Sequence, residues 1–339
     1  MKTVGKILLV TAIVILLLLA ITITFTIGWR PFLGPKARPL TARKFESTPE
    51  RVERGKYIFN SAAACVDCHS EHDKTTSDHP VRADMRGAGE IMPFADLPGR
   101  IVAPNITPDP QTGAGNWSDD QIARAIREGV GNDGRALFPM MPYQHYRKMS
   151  DEDVASVVVY MRSMPAVHHE LPKTEIIFPV KYLIRSVPQP ITTPVNAPDR
   201  SNRVEWGAYA VNMAGCIDCH TPVDDHHQPM AGMEFAGGQV FRGAWGSTPV
   251  STNITPDASG ISYYDEALFI QVLKTGYVRA RKLDPLMPVE QYSGLTDDDL
   301  KAIFSYMRTV KPVKHRVDNS EPPTFCKLCR ARHGAGDAN

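Results

Sequence analysis

The sequence predicts a mainly α-helical protein in which two copies of one small unit follow a single N-terminal membrane-spanning helix. Three observations lead to this fold class: an uncharged apolar run at residues 7–29, a set of motifs that recurs 146 to 152 residues further along, and capped amphipathic segments in each copy. The length of 339 residues agrees with this organisation, because domains commonly contain about 100–200 residues each.

The apolar run at residues 7–29 predicts an uncleaved transmembrane anchor. Its 23 uncharged residues lie between Lys6 and Arg30 and are sufficient to cross a hydrocarbon core of about 30 Å. A secretory signal has a shorter apolar stretch and a small-residue cleavage site, whereas this run ends without an A-x-A pattern. The flanking charges do not settle its orientation. More basic residues follow the run than precede it, which is opposite to the positive-inside distribution expected if the following domains lie outside the membrane.

Matching motifs divide the rest of the chain into two related regions. Gly55-Lys-Tyr57 corresponds to the Gly-Ala-Tyr that starts at Gly207, and the Asn-Ile-Thr-Pro-Asp sequence occurs at residues 105–109 and 253–257. The offset falls gradually from 152 to 146 residues, as expected when loops change length after an internal duplication.

Helix signals recur inside both copies. Ser118 and Gln121 form a capping box that predicts a helix ending at Gly129, and its counterpart ends at Gly276. Ser150 caps a later helix whose apolar residues follow the i, i+3, i+4, i+7 pattern, and residues 296–307 repeat it. Each copy is thus predicted to consist of a helix with a cysteine motif, a long loop, a middle helix, a second loop and a closing helix, with few strands.

Two cysteine pairs carry the main chemical signal. Cys65/Cys68 and Cys216/Cys219 are each followed directly by a histidine, His69 and His220, which is the attachment signature of haem c. Two thiols at this spacing form thioethers to the haem vinyl groups, and the adjacent imidazole binds the iron. A disulfide, a zinc knuckle or a thioredoxin-like pair would leave the repeated histidine unexplained. We therefore predict two covalently bound haem c groups.

A second axial ligand is predicted from a repeated Met-Pro sequence. Met141-Pro142 and Met287-Pro288 lie 72 and 67 residues after His69 and His220. Met140 also lies near the first site but has no counterpart in the second copy. Histidines in the loops after the cysteine motifs also carry a suitable nitrogen, but we expect them to be solvated side chains; they are His72, His79, His226 and His227.

These motifs resemble class I cytochrome c domains of bacterial dihaem and trihaem cytochromes, as in the cytochrome subunits of membrane-bound alcohol and gluconate dehydrogenases. The resemblance rests on the Asn-Ile-Thr-Pro-Asp sequence with Trp117-Ser118 behind it, Met141-Pro142-Tyr143 and the helix that ends Tyr160-Met161-Arg162. It covers domains at residues 48–166 and 200–313. Val289 stands where the first copy has Tyr143, and the third haem domain of those subunits has no counterpart.

The resemblance implies thioether bonds at Cys65, Cys68, Cys216 and Cys219, and haem iron held by His69 with Met141 and by His220 with Met287. Six-coordinate haem of this kind transfers electrons without binding a substrate, and methionine sulfur favours reduced iron. The predicted function is electron relay between donor and acceptor proteins, without a catalytic site, within a larger membrane complex. The competing hypothesis is a dihaem peroxidase, which requires an open iron position.

Charge and cofactor chemistry predict the location. Haem c is attached outside the bacterial cytoplasm, so the domains after the anchor are expected on the periplasmic, outer side of the cytoplasmic membrane. A formal net charge of +1 gives no basic field for nucleic acid, and none is expected as a partner.

Three segments connect or follow the predicted domains. Residues 30–47 are predicted to be a stiff juxtamembrane linker near the lipid headgroups, and residues 167–199 a Pro-rich linker between domains. An apolar patch at residues 176–184 is expected to pack between the haem domains, with an interfacial strip at the membrane as the second possibility.

The C-terminal tail, residues 314–339, contains a third Cys-x-x-Cys pair at Cys326 and Cys329, with arginine where a haem ligand would stand. A third haem is therefore not expected. In an oxidising compartment the pair is expected to form a disulfide, or it binds a metal together with His333; redox-active or unpaired thiols are the third alternative. Zinc would then need a fourth ligand such as His315 or a residue of a partner.

Overall fold

The chain is mainly helical in the computed structural model, which describes residues 2–225, 227–243, 248–317 and 324–333. After an N-terminal apolar helix, two groups of helices follow in the same order. The helices are α1 (Lys2–Phe25), α2 (Arg30–Leu33), α3 (Pro49–Tyr57), α4 (Cys65–Cys68), α5 (Asp119–Glu128), α6 (Tyr143–Tyr146), α7 (Asp151–Ser163), α8 (Val180–Leu183), α9 (Arg203–Ala214), α10 (Cys216–His220), α11 (Glu266–Thr275), α12 (Val289–Tyr292) and α13 (Asp297–Met307).

Each group is organised around one pair of crossing helices, α3 with α7 and α9 with α13. The backbones meet at a glycine: a Cβ atom at Gly55 would lie 2.0 Å from the carbonyl oxygen of Ser156, and one at Gly207 would lie 2.0 Å from that of Ala302. Only glycine permits this approach. The Gly-x-Tyr repeat of the sequence therefore marks the helix crossing in both groups.

The predicted caps are present. The hydroxyl of Ser118 accepts from the backbone N–H of Gln121, and the Gln121 side chain accepts from the backbone N–H of Ser118, which together form the capping box of α5. Gly129 and Gly276 end α5 and α11 in the left-handed conformation, as predicted for C-terminal glycines. The Ser150 hydroxyl accepts from the backbone N–H of Asp153 and caps the start of α7.

The sequence predicts few strands, and the strands in the structure are short. In the described residues, eight two-residue strands form four antiparallel pairs. They are β1 (Glu90–Ile91) with β3 (Val102–Ala103), β2 (Gly99–Arg100) with β4 (Glu175–Ile176), β5 (Tyr277–Val278) with β6 (Arg281–Lys282), and β7 (Thr324–Phe325) with β8 (Arg332–His333).

One hydrophobic core joins the two groups of helices. It includes Ile58 and Val157 from the first group and Leu300 from the second. Polar bonds cross the same boundary: the Tyr209 hydroxyl donates to Asp153 Oδ2 over 2.6 Å, and the equivalent Tyr57 hydroxyl donates to Asp299. This reciprocal pairing relates the groups by an approximate twofold arrangement.

The apolar N-terminal helix begins and ends earlier than predicted. Within Thr3–Phe25, an 18-residue window has a mean hydropathy of 3.1 and no buried residue, which agrees with a membrane-spanning segment by length and composition. The apolar run at 7–29 continues past α1, but Gly28 adopts a left-handed conformation and Trp29 precedes the short helix α2. Residues 26–29 of the run therefore lie outside α1, in the turn that separates it from α2.

The juxtamembrane linker is not a free spacer. Arg38 forms ion pairs of 2.7 Å with Asp120 and 2.8 Å with Glu128, both on α5, and the Thr41 backbone N–H donates to Asp120. The Phe45 backbone N–H donates to Asp119. Residues 38–45 thus form a strap on the first helix group, a contact between residues about 80 positions apart that local sequence does not encode.

The expected packing of residues 176–184 between the haem domains is wrong for most of this patch. Ile177 and Phe178 are 56% and 77% exposed, and only Ile184 is buried. Helix α8 instead contacts α2, and the Arg185 guanidinium donates to the Pro31 carbonyl over 2.9 Å. The patch therefore adjoins the segment that follows α1.

Candidate haem site

Both Cys-x-x-Cys-His sequences form a short helix that is separated from the preceding helix by a left-handed residue. Ala64 precedes α4 with φ 47°, and Gly215 precedes α10 with φ 66°. In the first group a π-helical turn at Ile58–Ala62 also intervenes. The cysteine motif thus follows the long helix rather than lying on it, because the chain must turn before the first cysteine.

The four cysteines of the two motifs are partly or largely exposed. Cys68 and Cys219 are exposed, whereas Cys65 and Cys216 are half-buried and pack against the shared core. All four thiols are free of disulfides. Their spacing and exposure leave both sulfur atoms of each motif available for bonds to a bound group.

The two motif histidines are held in one orientation by backbone carbonyls. His69 Nδ1 lies 2.8 Å from the Pro104 oxygen, and His220 Nδ1 lies 2.7 Å from the Thr252 oxygen. A carbonyl accepts from an N–H, so Nδ1 carries the proton and Nε2 presents its lone pair. Both side chains are buried, and burial lowers the pKa of each imidazole. The neutral form, which binds metals, is therefore favoured.

The Asn-Ile-Thr sequences fix the carbonyls that orient these histidines. Asn105 Oδ1 accepts from the backbone N–H of Thr107 at 2.9 Å and from its hydroxyl at 2.8 Å. Asn253 and Thr255 repeat both bonds at the same distances. The asparagine side chain thus closes a turn directly after Pro104 or Thr252, which explains why the sequence recurs.

The Met-Pro loops have the same backbone turn in both copies. Met141 and Met287 are half-buried against the shared core, and the N–H two residues later donates to the carbonyl of each methionine. The Tyr146 hydroxyl donates to the Ala63 carbonyl over 2.9 Å, and the Tyr292 hydroxyl to that of Ala214 over 2.6 Å. Each tyrosine ties its Met-Pro loop to the residues just before the first cysteine.

The difference between Tyr143 and Val289 has a packing explanation. A Cβ at Gly129 would lie 2.5 Å from the Tyr143 ring, and one at Gly276 would lie 3.2 Å from a Val289 methyl group. Both side chains therefore cover the C-terminal glycine of the middle helix. The substitution changes the side chain that packs there, not the arrangement of the loop.

The loop histidines lie in three different surroundings. His72 is buried rather than solvated, with Nδ1 2.5 Å from Glu90 Oε2 and Nε2 3.7 Å from Asp67 Oδ1. His79 is half-buried, and His227 is exposed as expected. His226 lies outside the described residues. The expectation of a solvated loop histidine is thus wrong for His72.

The helix groups contact each other close to both cysteine motifs, which sequence reasoning missed. His145 on α6 lies 2.6 Å from Asp218 of the second motif, and this bond raises the His145 pKa. In the other direction, the Val81 backbone N–H donates to Glu290 on α12 over 3.1 Å. The short helix after each Met-Pro sequence therefore contacts the opposite helix group.

The tail brings its predicted residues together. Cys326, Cys329 and His333 form a cluster with His315, and the four donor atoms lie within 4.8 Å of one another. Both tail cysteines are free thiols in this structure.

These features fit covalently attached haem. Each site presents two free thiols at the attachment spacing beside a buried imidazole whose Nε2 is available, on a small helical scaffold. A protein with this fold and donor set is a c-type cytochrome.

Comparisons with known proteins agree with this donor set. Residues 52–165 match the family model described as Cytochrome c. The chain is 32% identical to the fructose dehydrogenase cytochrome subunit of Gluconobacter japonicus over 81% of its own length and 56% of that protein. It is 27% identical to the alcohol dehydrogenase (quinone) cytochrome c subunit of Gluconobacter oxydans over 77% and 55%. It is 27% identical to a dihaem cytochrome c-type protein of Cereibacter sphaeroides over 80% and 92%.

Residues 52–165 therefore form a cytochrome c domain, and the chain is similar to cytochrome subunits of dehydrogenases. It spans little more than half the length of the fructose and alcohol dehydrogenase subunits that it matches.

Proposed function

We propose that the chain is a dihaem electron-relay cytochrome with one haem c in each helix group. The observation that carries this proposal is the duplication of the complete donor set: two thiols, a carbonyl-oriented imidazole and a Met-Pro loop tied back by a tyrosine. Bound haem c supplies reversible one-electron chemistry at its iron.

The chain's own residues hold and orient that group. Cys65, Cys68, Cys216 and Cys219 provide the thioether bonds, and His69 and His220 the proximal nitrogens. Met141 and Met287 provide the distal sulfur atoms, because they occupy equivalent turns while Met140 has no equivalent. His72 is a poor candidate for this role, since both of its ring nitrogens face carboxylates.

The domain boundaries follow from the same duplication. Residues 48–166 and 200–313 form two class I cytochrome c domains, and their support is the pair of helix crossings at Gly55 and Gly207. Residues 30–47 and 167–199 connect them to the anchor and to each other, and residues 314–339 form the tail.

Contact between the domains supports electron exchange within the chain. Asp218, which lies inside the second cysteine motif, bonds to His145 of the first domain, and the Asn212 side chain donates to the His145 carbonyl over 2.8 Å. A Cβ at Gly294 would lie 2.2 Å from Ser61 Oγ, so the domains also touch beside the π-helical turn. Rigid contact next to both motifs favours transfer without domain movement.

Helix α1 is proposed to anchor the chain in the cytoplasmic membrane, with the domains on the outer side. The exposed side chains of Phe32, Leu33, Ile177 and Phe178 lie on segments that contact each other just after α1. Lys181 and Arg185 flank them. This combination of apolar and basic side chains suits the headgroup region of a bilayer.

The partners are proposed to be a donor dehydrogenase or quinol-oxidising complex and a terminal acceptor. Several relatives are named as cytochrome subunits of dehydrogenases. The sequence has no flavin or nucleotide motif, so the substrate-oxidising site is expected on another polypeptide. The same relatives favour a relay over a dihaem peroxidase.

A redox titration of single-methionine variants tests the proposal. In the full-length protein we expect two one-electron transitions. Met141→Ala and Met287→Ala should each lower one potential and leave the other nearly unchanged, because loss of the thioether removes stabilisation of reduced iron. Met140→Ala is the matched control and should change neither potential. Unchanged potentials in both test variants would exclude methionine as the ligand.

A further inference from the structure

The C-terminal cluster has the donor set of a closed metal site. Two thiol sulfurs and two imidazole nitrogens are the ligands of tetrahedral structural zinc. His315, Cys329 and His333 are buried and Cys326 is half-buried. Zinc bound at about 2.3 Å from sulfur and about 2.1 Å from nitrogen separates neighbouring donors by less than about 4 Å. The cluster, with donors within 4.8 Å, needs only a small contraction to reach that geometry.

Backbone carbonyl groups orient both histidine rings for metal binding. His315 Nδ1 lies 2.8 Å from the Ala236 carbonyl, and His333 Nδ1 lies 3.2 Å from that of Arg316. The protons therefore lie on Nδ1 and the Nε2 lone pairs face the sulfurs. The distance from His315 Nε2 to Cys326 Sγ is 3.4 Å, and that from His333 Nε2 to Cys329 Sγ is 2.9 Å. Metal-binding histidines commonly have such a carbonyl partner.

A hairpin presents the two cysteines from one side. Strands β7 and β8 pair Phe325 with Arg332, and the Cys326 N–H donates to the Ala331 carbonyl over 2.8 Å. Arg330 turns the chain with φ 61°. The turn thus points both sulfurs toward His315, which belongs to a different segment of the chain.

A disulfide explains this arrangement less well than a metal. Oxidation of Cys326 and Cys329 would remove the thiol protons that face His315 Nε2 and His333 Nε2 and leave two buried acceptors without those donors, which is unfavourable. A divalent cation satisfies all four donor atoms together.

The cluster adjoins the second cysteine motif. A Cβ at Gly238 would lie 2.7 Å from His315 Cε1, 3.1 Å from His333 Nε2 and 3.4 Å from Cys329 Sγ. The preceding residue, Gly237, donates its N–H to the His220 carbonyl over 2.7 Å. The cluster therefore holds the tail against the loop that packs on the proposed haem ligand.

The first domain provides an internal comparison. His169 occupies the place of His315, with Nδ1 3.0 Å from the Ala88 carbonyl, which is equivalent to Ala236. Among the described residues, however, the only group of three or more potential metal-ligating side chains lies in the tail. The histidine–carbonyl bond therefore recurs in both copies, whereas Cys326, Cys329 and His333 are specific to the tail.

We propose that His315, Cys326, Cys329 and His333 bind one zinc ion that fastens the C-terminal tail to the second domain. The site is independent of the relay proposal, because failure to find zinc leaves the haem ligands unaffected.

Metal analysis of the full-length, haem-loaded protein, purified without a histidine tag or chelator, tests the proposal. We expect one zinc per chain, retained in His169→Gln and lost in His333→Gln and in Cys326→Ser/Cys329→Ser. Treatment of the unmodified protein with a mercurial thiol reagent should release one zinc as two thiols react, which gives a measurement that does not depend on variant folding.

Two results would overturn the proposal. One is a zinc-free protein whose peptide map contains a Cys326–Cys329 disulfide and which, after reduction, takes up no added Zn²⁺ in a calorimetric titration. The other is zinc content that persists in His333→Gln and in the double serine variant.

Discussion

Replacement of Gly55 by alanine should destabilise the first domain although alanine is the better helix former. A Cβ at this position would lie 2.0 Å from the Ser156 carbonyl oxygen and 2.7 Å from the Tyr160 Cβ. Ordinary contact begins at 3.4 Å, so α3 and α7 must separate by more than an ångström or shift along each other. Neither obstructing atom can rotate away, because one belongs to the backbone and the other is a Cβ.

The magnitude follows from two opposing effects. Exchanging glycine for alanine in a helix interior stabilises it by about 1 kcal/mol, whereas overpacking a closely fitted interface costs about 1–3 kcal/mol or more. Because the added Cβ would meet atoms that cannot move aside, the overpacking cost at Gly55 should lie at the upper end of this range. We therefore expect Gly55→Ala to lower the free energy of unfolding by about 2 kcal/mol.

Urea unfolding of the haem-loaded protein measures this effect. It is followed by far-UV circular dichroism and by the weak long-wavelength absorption band of ferric haem iron bound to methionine. Gly207→Ala should destabilise the second domain by a similar amount, because its Cβ would lie 2.0 Å from the Ala302 carbonyl oxygen. Gly5→Ala, with no atom within 4 Å of the added Cβ, is the control and should not lower the free energy of unfolding. A Gly55→Ala protein as stable as the parent would refute the helix-crossing explanation.

Three further predictions concern polar contacts. Arg38→Gln should raise the pKa of Asp120 from about 2 toward its ordinary value, because burial raises that pKa and the Arg38 bond outweighs it. The variant should lose about 1 kcal/mol at neutral pH, because the Thr41 bonds to Asp120 remain and solvent screens part of the ion pair. This loss disappears as pH falls through the depressed pKa, and faster trypsin cleavage near Arg43 would report release of the strap. For His72, burial lowers the pKa but bonds to Asp67 and Glu90 raise it to about 9. Its ion pairs therefore stabilise the fold fully below about pH 6.5 and lose this effect as pH rises through about 9. The difference in melting temperature between the parent and His72→Gln should narrow over that range. A constant difference would contradict a charged His72 paired with Asp67 and Glu90. Tyr209→Phe should remove the bond to buried Asp153 and cost about 1–2 kcal/mol in urea unfolding, whereas no loss would show that the interdomain bond is unimportant.

The elements that sequence predicted well are those fixed by local signals. The Ser118 capping box and the glycines at 129 and 276 determine helix ends through contacts within a few residues. Duplication also made the cysteine motifs and Met-Pro loops visible, because chance rarely repeats several motifs in one order.

What sequence could not predict depends on distant partners. The strap requires Arg38 to meet Asp120, and the exposure of Phe178 depends on α8 packing against α2. The left-handed conformation of Ala64 could not be predicted, because the residue is not a glycine, whereas the second copy has Gly215 at the equivalent position. The repeated glycines at 55 and 207 were visible as a motif, but their role at a backbone crossing required the structure.

Haem quantification and optical spectroscopy of the purified full-length protein are the most direct test of a two-haem relay. We expect two covalent haems per chain, both low-spin, with the weak long-wavelength band of methionine-bound ferric iron and no reaction with carbon monoxide. A single haem, or a persistent high-spin haem that binds carbon monoxide and turns over peroxide, would contradict the relay and favour a peroxidase.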